Sequence, residues 1–258
     1  MKTQIIIAGY GFVGKAVANS LKDKNTLHIV DPKYNTNKIT DFPSTDGVII
    51  CVGTPMGKGG DCDISQLEAV LYDIPYGTPV LIKSTVPADY LENLIGKYPD
   101  NDICYSPEFL RAVSADDDFL NQTYMVIGGE DYKFWQELFE ESLPYCKDYL
   151  NTTITEASMV KYTTNCFLSI KVAFFNQLYD MCQTNGADYN TVRQVLSFDN
   201  RIGHSHMQVP GPDGSRGFGG ACFPKDTNAF VHYSDRLTKN VSILESAIKY
   251  NKKIRKNP

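Results

Sequence analysis

The run Gln4-Ile5-Ile6-Ile7-Ala8-Gly9-Tyr10-Gly11-Phe12-Val13-Gly14 decides how this chain folds. Three consecutive isoleucines in an unbroken apolar run suit a strand buried on both faces of a parallel sheet. Gly9, Gly11 and Gly14 follow at once as G-x-G-x-x-G. Glycines at that spacing allow a tight turn, a close backbone approach to a ligand and close packing of the next helix. Lys15 to Leu21 then carries Val17, Ala18 and Leu21 at helical spacing, and Leu27 to Val30 reads as a second strand that ends at Asp31. The glycines by themselves fit a tight turn in a sheet that binds nothing. Strand, glycines, helix, strand and acid together predict a dinucleotide site. A carboxylate at that strand end accepts from a ribose 2′-OH and repels a 2′-phosphate, which favours NAD over NADP; Lys33 close by softens the preference.

The alternation continues. Gly47 to Val52 is a strand ending in Gly53-Thr54-Pro55, Met56 to Asp63 a glycine-rich loop, and Ile64 to Asp73 a helix. Pro79 to Lys83 is a strand running into Ser84-Thr85-Val86-Pro87. Ile103 to Tyr105 is a short strand before Ser106-Pro107-Glu108-Phe109-Leu110, Tyr124 to Ile127 another strand, and Phe134 to Ser142 a helix. This pattern predicts an α/β, Rossmann-type doubly wound parallel sheet over residues 1–150. Ligands of such sheets bind past the carboxyl ends of the strands, where Thr54, Thr85 and Glu108 stand.

From Thr153 the pattern changes. Thr155 to Asn185 holds no proline or glycine, and Met159, Cys166, Ile170, Phe174 and Leu178 recur at helical spacing. It reads as one long helix ended by Gly186. A second helix spans Tyr189 to Phe198, Asn200 to Gly220 is a long ordered loop over a site, and Asn240 to Lys256 is a final helix with a basic, solvated end. Residues 151–258 therefore form a helical central domain built on one long helix. That helix is apolar on more than one side, through Phe167, Val172, Phe174 and Phe175. One side is expected against its own domain and another against a second copy, giving a homodimer.

Composition removes several classes of function. Net charge is −5 with no basic face, which argues against nucleic-acid binding and leaves phosphate recognition to backbone amides and single basic residues. The seven cysteines contain no Cys-x-x-Cys pair, so neither a disulfide framework nor a zinc site is expected, and His204 and His206 read as loop polar residues rather than metal ligands. No signal peptide fits and no apolar run reaches membrane-spanning length, so the expectation is a cytoplasmic protein in a reducing compartment without a membrane partner.

The chemistry concentrates in Gly217-Phe218-Gly219-Gly220-Ala221-Cys222-Phe223-Pro224-Lys225-Asp226. A thiolate is the strongest side-chain nucleophile at neutral pH, a nearby lysine favours it, and an aspartate positions water or a partner. A buried structural thiol in a glycine-rich turn is the plain alternative. Lys161 and Asn165 stand four apart, hence on one helix face, from which both could point at an oxyanion. Thr85 and Glu108 could hold and activate a water.

The decapeptide resembles the catalytic-cysteine motif of the nucleotide-sugar dehydrogenases, the family of UDP-glucose 6-dehydrogenase, and further segments match in the family's order. The resemblance implies that Gly9, Gly11, Phe12, Val13, Gly14, Asp31, Thr54, Thr85 and Lys225 contact NAD. It implies that Cys222 is the nucleophile with Asp226 as its acid, and that Lys161, Asn165, Glu108 and Thr85 are catalytic. Phe109, Leu110, Lys161, Asn165, Phe218 and Gly219 would line the nucleotide sugar, and Arg201 of Asp199-Asn200-Arg201-Ile202-Gly203 would reach the substrate across the dimer. The implied reaction is the four-electron oxidation of a nucleotide sugar at C6 through a thiohemiacetal and a thioester, with UDP-glucose the leading substrate and GDP-mannose and UDP-N-acetyl sugars left open.

The sequence departs from the family in two places. Leu110-Arg111-Ala112-Val113 stands where the family has an acid soon after Phe-Leu, and the resemblance implies a short form lacking the family's C-terminal nucleotide-binding domain. Two alternatives remain at this level. One is a β-hydroxyacid-type dehydrogenase, which has no use for Cys222. The other is an NAD-binding module without catalysis that needs a partner chain.

Overall fold

A computed structural model describes residues 2–255. The chain forms two compact units: Met1–Pro55 with Cys62–Lys161, and Met56–Asp61 with Tyr162–Pro258.

The first unit is a seven-stranded sheet of β1 (Gln4–Ala8), β2 (Thr26–Val30), β3 (Gly47–Ile50), β4 (Val80–Ile82), β5 (Ile103–Tyr105), β6 (Tyr124–Gly128) and β7 (Asp148–Thr152), in the order β2-β1-β3-β4-β5-β6-β7. Alternate residues of each strand face opposite sides, and both sides are covered. Ile5, Ile7, Ile49 and Leu81 pack on one side under α1 (Phe12–Leu21), with Phe119, Trp135 and Phe139 from the later helices of that face. Ile6, Ala8, Val48, Ile50 and Ile82 pack on the other under α2 (Ser65–Asp73) and α3 (Ala88–Lys97) through Leu67, Leu71, Leu91 and Leu94. Two covered faces explain why β1 reads as a continuous apolar run. The chain steps from β1 outward to β2 and then back across to β3, so the carboxyl end of β1 is a topological switch point.

The sheet is doubly wound as expected, with one correction. Tyr105 pairs with Gly128 in antiparallel sense, so β6 runs against β5 while β7 runs parallel to β6. Several elements were not legible from periodicity. They include α3, which begins directly after Pro87, the short acidic α4 (Ala115–Leu120), and β7, whose strand is half-polar. The helix expected over 134–142 is α5 (Tyr132–Glu140).

The long helix is α6 (Ile154–Asn185), followed by Gly186 at φ +71°. Its buried side corrects the expected apolar stripe. Met159 and Phe174 are exposed, while Ser158, Lys161, Asn165, Ser169 and Asn176 are buried. In the second unit α6 is joined by α7 (Tyr189–Ser197), α8 (Phe223–Arg236) and α9 (Ser242–Ile254). Residues 200–220 form the expected loop without helix or strand. The helix α8 is not among the elements expected from the sequence; its Pro224 stands in the first turn, where proline is tolerated. Lys256, placed at the end of the last helix, lies outside the described residues. Among the described residues no helix is long and apolar enough to cross a membrane.

Candidate active site

The first unit gathers the expected residues of the dinucleotide turn and the strand ends. Gly9 follows β1 at φ +92°, with its amide bonded to the Val30 carbonyl at 2.9 Å. A Cβ on Gly14 would lie 2.0 Å from the Gly9 carbonyl oxygen, whereas one on Gly11 would meet nothing within 4 Å. No side chain caps α1 and no acid stands in its first turn. The turn is thus closed against the protein and open outward with its helix amides presented, which fits a dinucleotide's phosphates. Phe12 is partly exposed and Val13 half-buried beside it. Asp31 Oδ2 accepts from Tyr10 N at 2.7 Å and Oδ1 from Lys33 N at 2.8 Å, so the backbone fixes the carboxylate in place. Each oxygen keeps acceptor capacity for a ribose.

Thr54 and Thr85 stand past β3 and β4. The Thr54 hydroxyl donates to the Thr85 carbonyl at 2.8 Å and ties the two strand ends together. Glu108, past β5, is buried. Its carbonyl accepts from Lys161 Nζ, its Oε1 from the same ammonium at 3.0 Å, and its Oε2 from the Leu110 amide at 2.6 Å. Lys161 is 3% exposed and also lies 5.5 Å over the Phe109 ring. The Leu110 amide and the Phe109 ring, expected to line a substrate, thus also hold Glu108 and Lys161.

The second unit builds around α8. Cys222 is its N-cap residue and is half-buried, and its carbonyl accepts from the Asp226 amide at 2.8 Å. A helix N-terminus favours negative charge on the residue that heads it. Asp226, one turn in, is 1% exposed; it accepts from Asn165 Nδ2 at 2.6 Å and is ion-paired to Lys225. No cysteine forms a disulfide. Burial pushes the thiols of Cys51, Cys104 and Cys166 up to about 12, so they are protonated at neutral pH.

The loop before Cys222 is clamped by residues that sequence reading did not select. Asn251 on α9 accepts from the Phe218 amide at 2.8 Å and donates to the Phe218 carbonyl at 2.9 Å. The Arg255 guanidinium lies so close to Gly219 that a Cβ there would sit 2.2 Å from it. Arg216 pairs with Asp180 at 2.8 Å. On α8, His232 bonds the Gly59 carbonyl at 2.7 Å and Arg236 pairs with Asp61 at 2.6 Å, fixing the 56–61 segment. An asparagine opposite a glycine-rich loop carries no sequence signal, because only the fold makes them neighbours. Arg201 is exposed and bonded to its own Asp199, with its Nε 2.9 Å from Asp199 Oδ1.

Residues 33–141 match the NAD binding domain of the UDP-glucose/GDP-mannose dehydrogenase family, and residues 155–253 match that family's central domain. The UDP-glucose 6-dehydrogenase TuaD of Bacillus subtilis is 33% identical over 230 residues, covering 83% of this chain and 49% of TuaD. The UDP-glucose 6-dehydrogenase of Rhizobium meliloti is 34% identical over 231 residues, with 82% and 51% covered. The chain therefore spans about half the length of the curated relatives it matches.

Among solved structures, a UDP-glucose dehydrogenase from Pyrobaculum islandicum superposes with a TM-score of 0.86 at 24% identity, over 98% of this chain and 68% of that one. A Mycobacterium tuberculosis 3-hydroxyisobutyrate dehydrogenase gives 0.77 at 16%, over 98% and 94%. Those two likenesses speak for the fold. The two domain matches fall on consecutive stretches of one chain and describe one family, so this chain belongs to the UDP-glucose/GDP-mannose dehydrogenase family.

Proposed function

We propose that the chain is an NAD-dependent nucleotide-sugar 6-dehydrogenase that converts UDP-glucose to UDP-glucuronate by two oxidations at C6. One observation carries this reading. Helix α6 bears two polar side chains, each buried against an acid: Lys161 on Glu108, and Asn165 on the Asp226 of the helix that Cys222 heads. The turn Gly9–Gly14, with Asp31, Thr54, Thr85 and Lys225, binds NAD⁺, which when bound supplies the hydride acceptor for both oxidations.

The remaining chemistry belongs to this chain's residues. Cys222 Sγ bonds to C6 of the aldehyde, whose oxygen takes up a proton, giving a thiohemiacetal. That adduct still carries a hydrogen on C6, which is why a thiol is needed to go beyond the aldehyde. Lys161 and Asn165 donate toward the oxygen on C6 as charge builds there. At the thioester stage Glu108 takes a proton from a water held by Thr85. The water oxygen bonds to C6, the C6–Sγ bond breaks with the electron pair going to sulfur, and the carboxylate forms. Asp226 orients the cysteine-bearing turn. Phe109, Leu110, Phe218 and Gly219 line the sugar.

The division between chain copies is also a proposal. Phe167, Phe174 and Met181 recur every seven residues on α6 and are 63%, 59% and 60% exposed, while Phe175 is buried within the unit. That stripe suits a second copy of this chain, from which Arg201 would reach the substrate.

The test is stoichiometry: UDP-glucose with excess NAD⁺ yields two NADH per sugar and one uronic acid. One NADH per substrate, with a β-hydroxy acid as the better substrate, favours the reading that the fold of 3-hydroxyisobutyrate dehydrogenase suggests. Calorimetric NAD⁺ binding with no NADH from any nucleotide sugar leaves the non-catalytic module.

A further inference from the structure

Lys83 follows β4 directly and is 2% exposed. A buried ammonium costs stability unless its charge is met. Its Nζ donates to Ser106 Oγ at 3.1 Å, and Ser106 is fully buried. The rings of Phe119 and Phe139 take its remaining faces at 5.6 and 5.9 Å. Burial pulls its pKa down to about 8, and Cys51, Glu108 and Lys161 are the ionisable groups whose charges act on it.

Packing gives no reason for a charge here, since an apolar side chain would fill the space between two phenyl rings without the desolvation cost. The reason lies two residues beyond Ser106, at Glu108. The segment from Ser106 to Leu110 is held at its start by Lys83 and at Glu108 by Lys161, which grips both the carbonyl and the carboxylate.

We propose that Lys83 is a positioning residue for Glu108: its bond to Ser106 fixes the turn that presents the Glu108 carboxylate, and its charge makes the buried Lys83–Glu108–Lys161 group net positive. The inference rests on the function proposed above. At 2% exposure Lys83 offers no surface to a sugar or cofactor. Its loss therefore slows the step that uses Glu108, hydrolysis of the thioester, and spares the oxidations before it.

The experiment compares wild type, Lys83→Met and Ser106→Ala by steady-state kinetics, intact-protein mass during turnover, and thermal unfolding. Lys83→Met is expected to fold with a midpoint at pH 7 no lower than wild type, with KM for NAD⁺ unchanged. Its kcat falls by up to about 100-fold, the scale of a misplaced catalytic group. The uronyl adduct on Cys222 accumulates in that variant and not in wild type. Ser106→Ala, which keeps the charge and removes its acceptor, shows the same adduct with a smaller loss, and carries the test should Lys83→Met fail to fold. Unchanged kcat without adduct, or lost stability with normal kcat, assigns Lys83 a packing role and overturns the proposal. A wild-type chain that forms no NADH with nucleotide sugars overturns the function itself, and this inference with it.

Discussion

Glu108 and Asp226 are both buried acids held by α6, but the parts are exchanged between them. Glu108 receives its cation from α6, as Lys161, and its amide from the local backbone of Leu110. Asp226 receives its amide from α6, as Asn165, and its cation from the adjacent residue, Lys225. The charge that meets Asp226 is therefore one residue away along the chain, while the charge that meets Glu108 comes from 53 residues away. A locally supplied partner survives distortion of the fold; a distant one does not. The two acids should thus respond differently to loss of the α6 side chain.

The largest expected effect tests whether both acids serve one cysteine. Cys222→Ser should fold and bind NAD⁺, yet lose uronic-acid production by several orders of magnitude, as for removal of a covalent nucleophile. Iodoacetamide should label Cys222 ahead of Cys51, Cys104 and Cys166, whose buried thiols stay protonated, and labelled-peptide mass reports this. Preferential labelling elsewhere with Cys222 inert would return that residue to a structural thiol.

Next comes the comparison itself. Lys161→Ala strips the buried Glu108 of its cation and should cost about 3–5 kcal/mol in urea unfolding. Asn165→Ala leaves Asp226 its lysine and should cost about 1–3 kcal/mol. Equal losses would mean that the two acids are held alike.

A smaller, pH-dependent effect separates Lys83 from both. Its folded-state pKa, about 8, lies below the ordinary 10.5. Between those values the unfolded chain binds the extra proton, so this group makes stability rise with pH, beginning near pH 8. Lys83→Met should lack that rise, and the difference between the two unfolding curves from pH 7 to 9 isolates it. A parallel pair of curves would show that Lys83 is not desolvated in the folded protein.

The smallest effect is expected at a surface pair in the same unit. Hydrogen bonding from Arg111 holds the Asp118 carboxyl down to about 2, but the guanidinium side chain is 73% exposed. A depressed acid stabilises above its ordinary range and loses that contribution as pH falls toward 2. Solvent screening keeps the contribution small. Arg111→Ala should leave the urea midpoint at pH 7 unchanged within error; a loss as large as that of Lys161→Ala would remove burial as the explanation for the difference.

By itself the sequence determined the strands β1 to β6, the dinucleotide turn, the long helix and the cysteine-bearing glycine-rich segment, because each is encoded over a few neighbouring residues. Isoleucine runs report burial on both faces, Gly14 reports a backbone contact that no Cβ could share, and Gly186 ends α6 where a left-handed residue is needed. The tertiary structure decided the rest. The reversed sense of β6, the polar buried side of α6, the Asn251 clamp on Phe218 and the buried charge of Lys83 all depend on partners tens of residues away. A lysine or asparagine that would ordinarily be solvated is buried only when a carboxylate, hydroxyl or backbone group is brought to meet it, and no local pattern records that meeting.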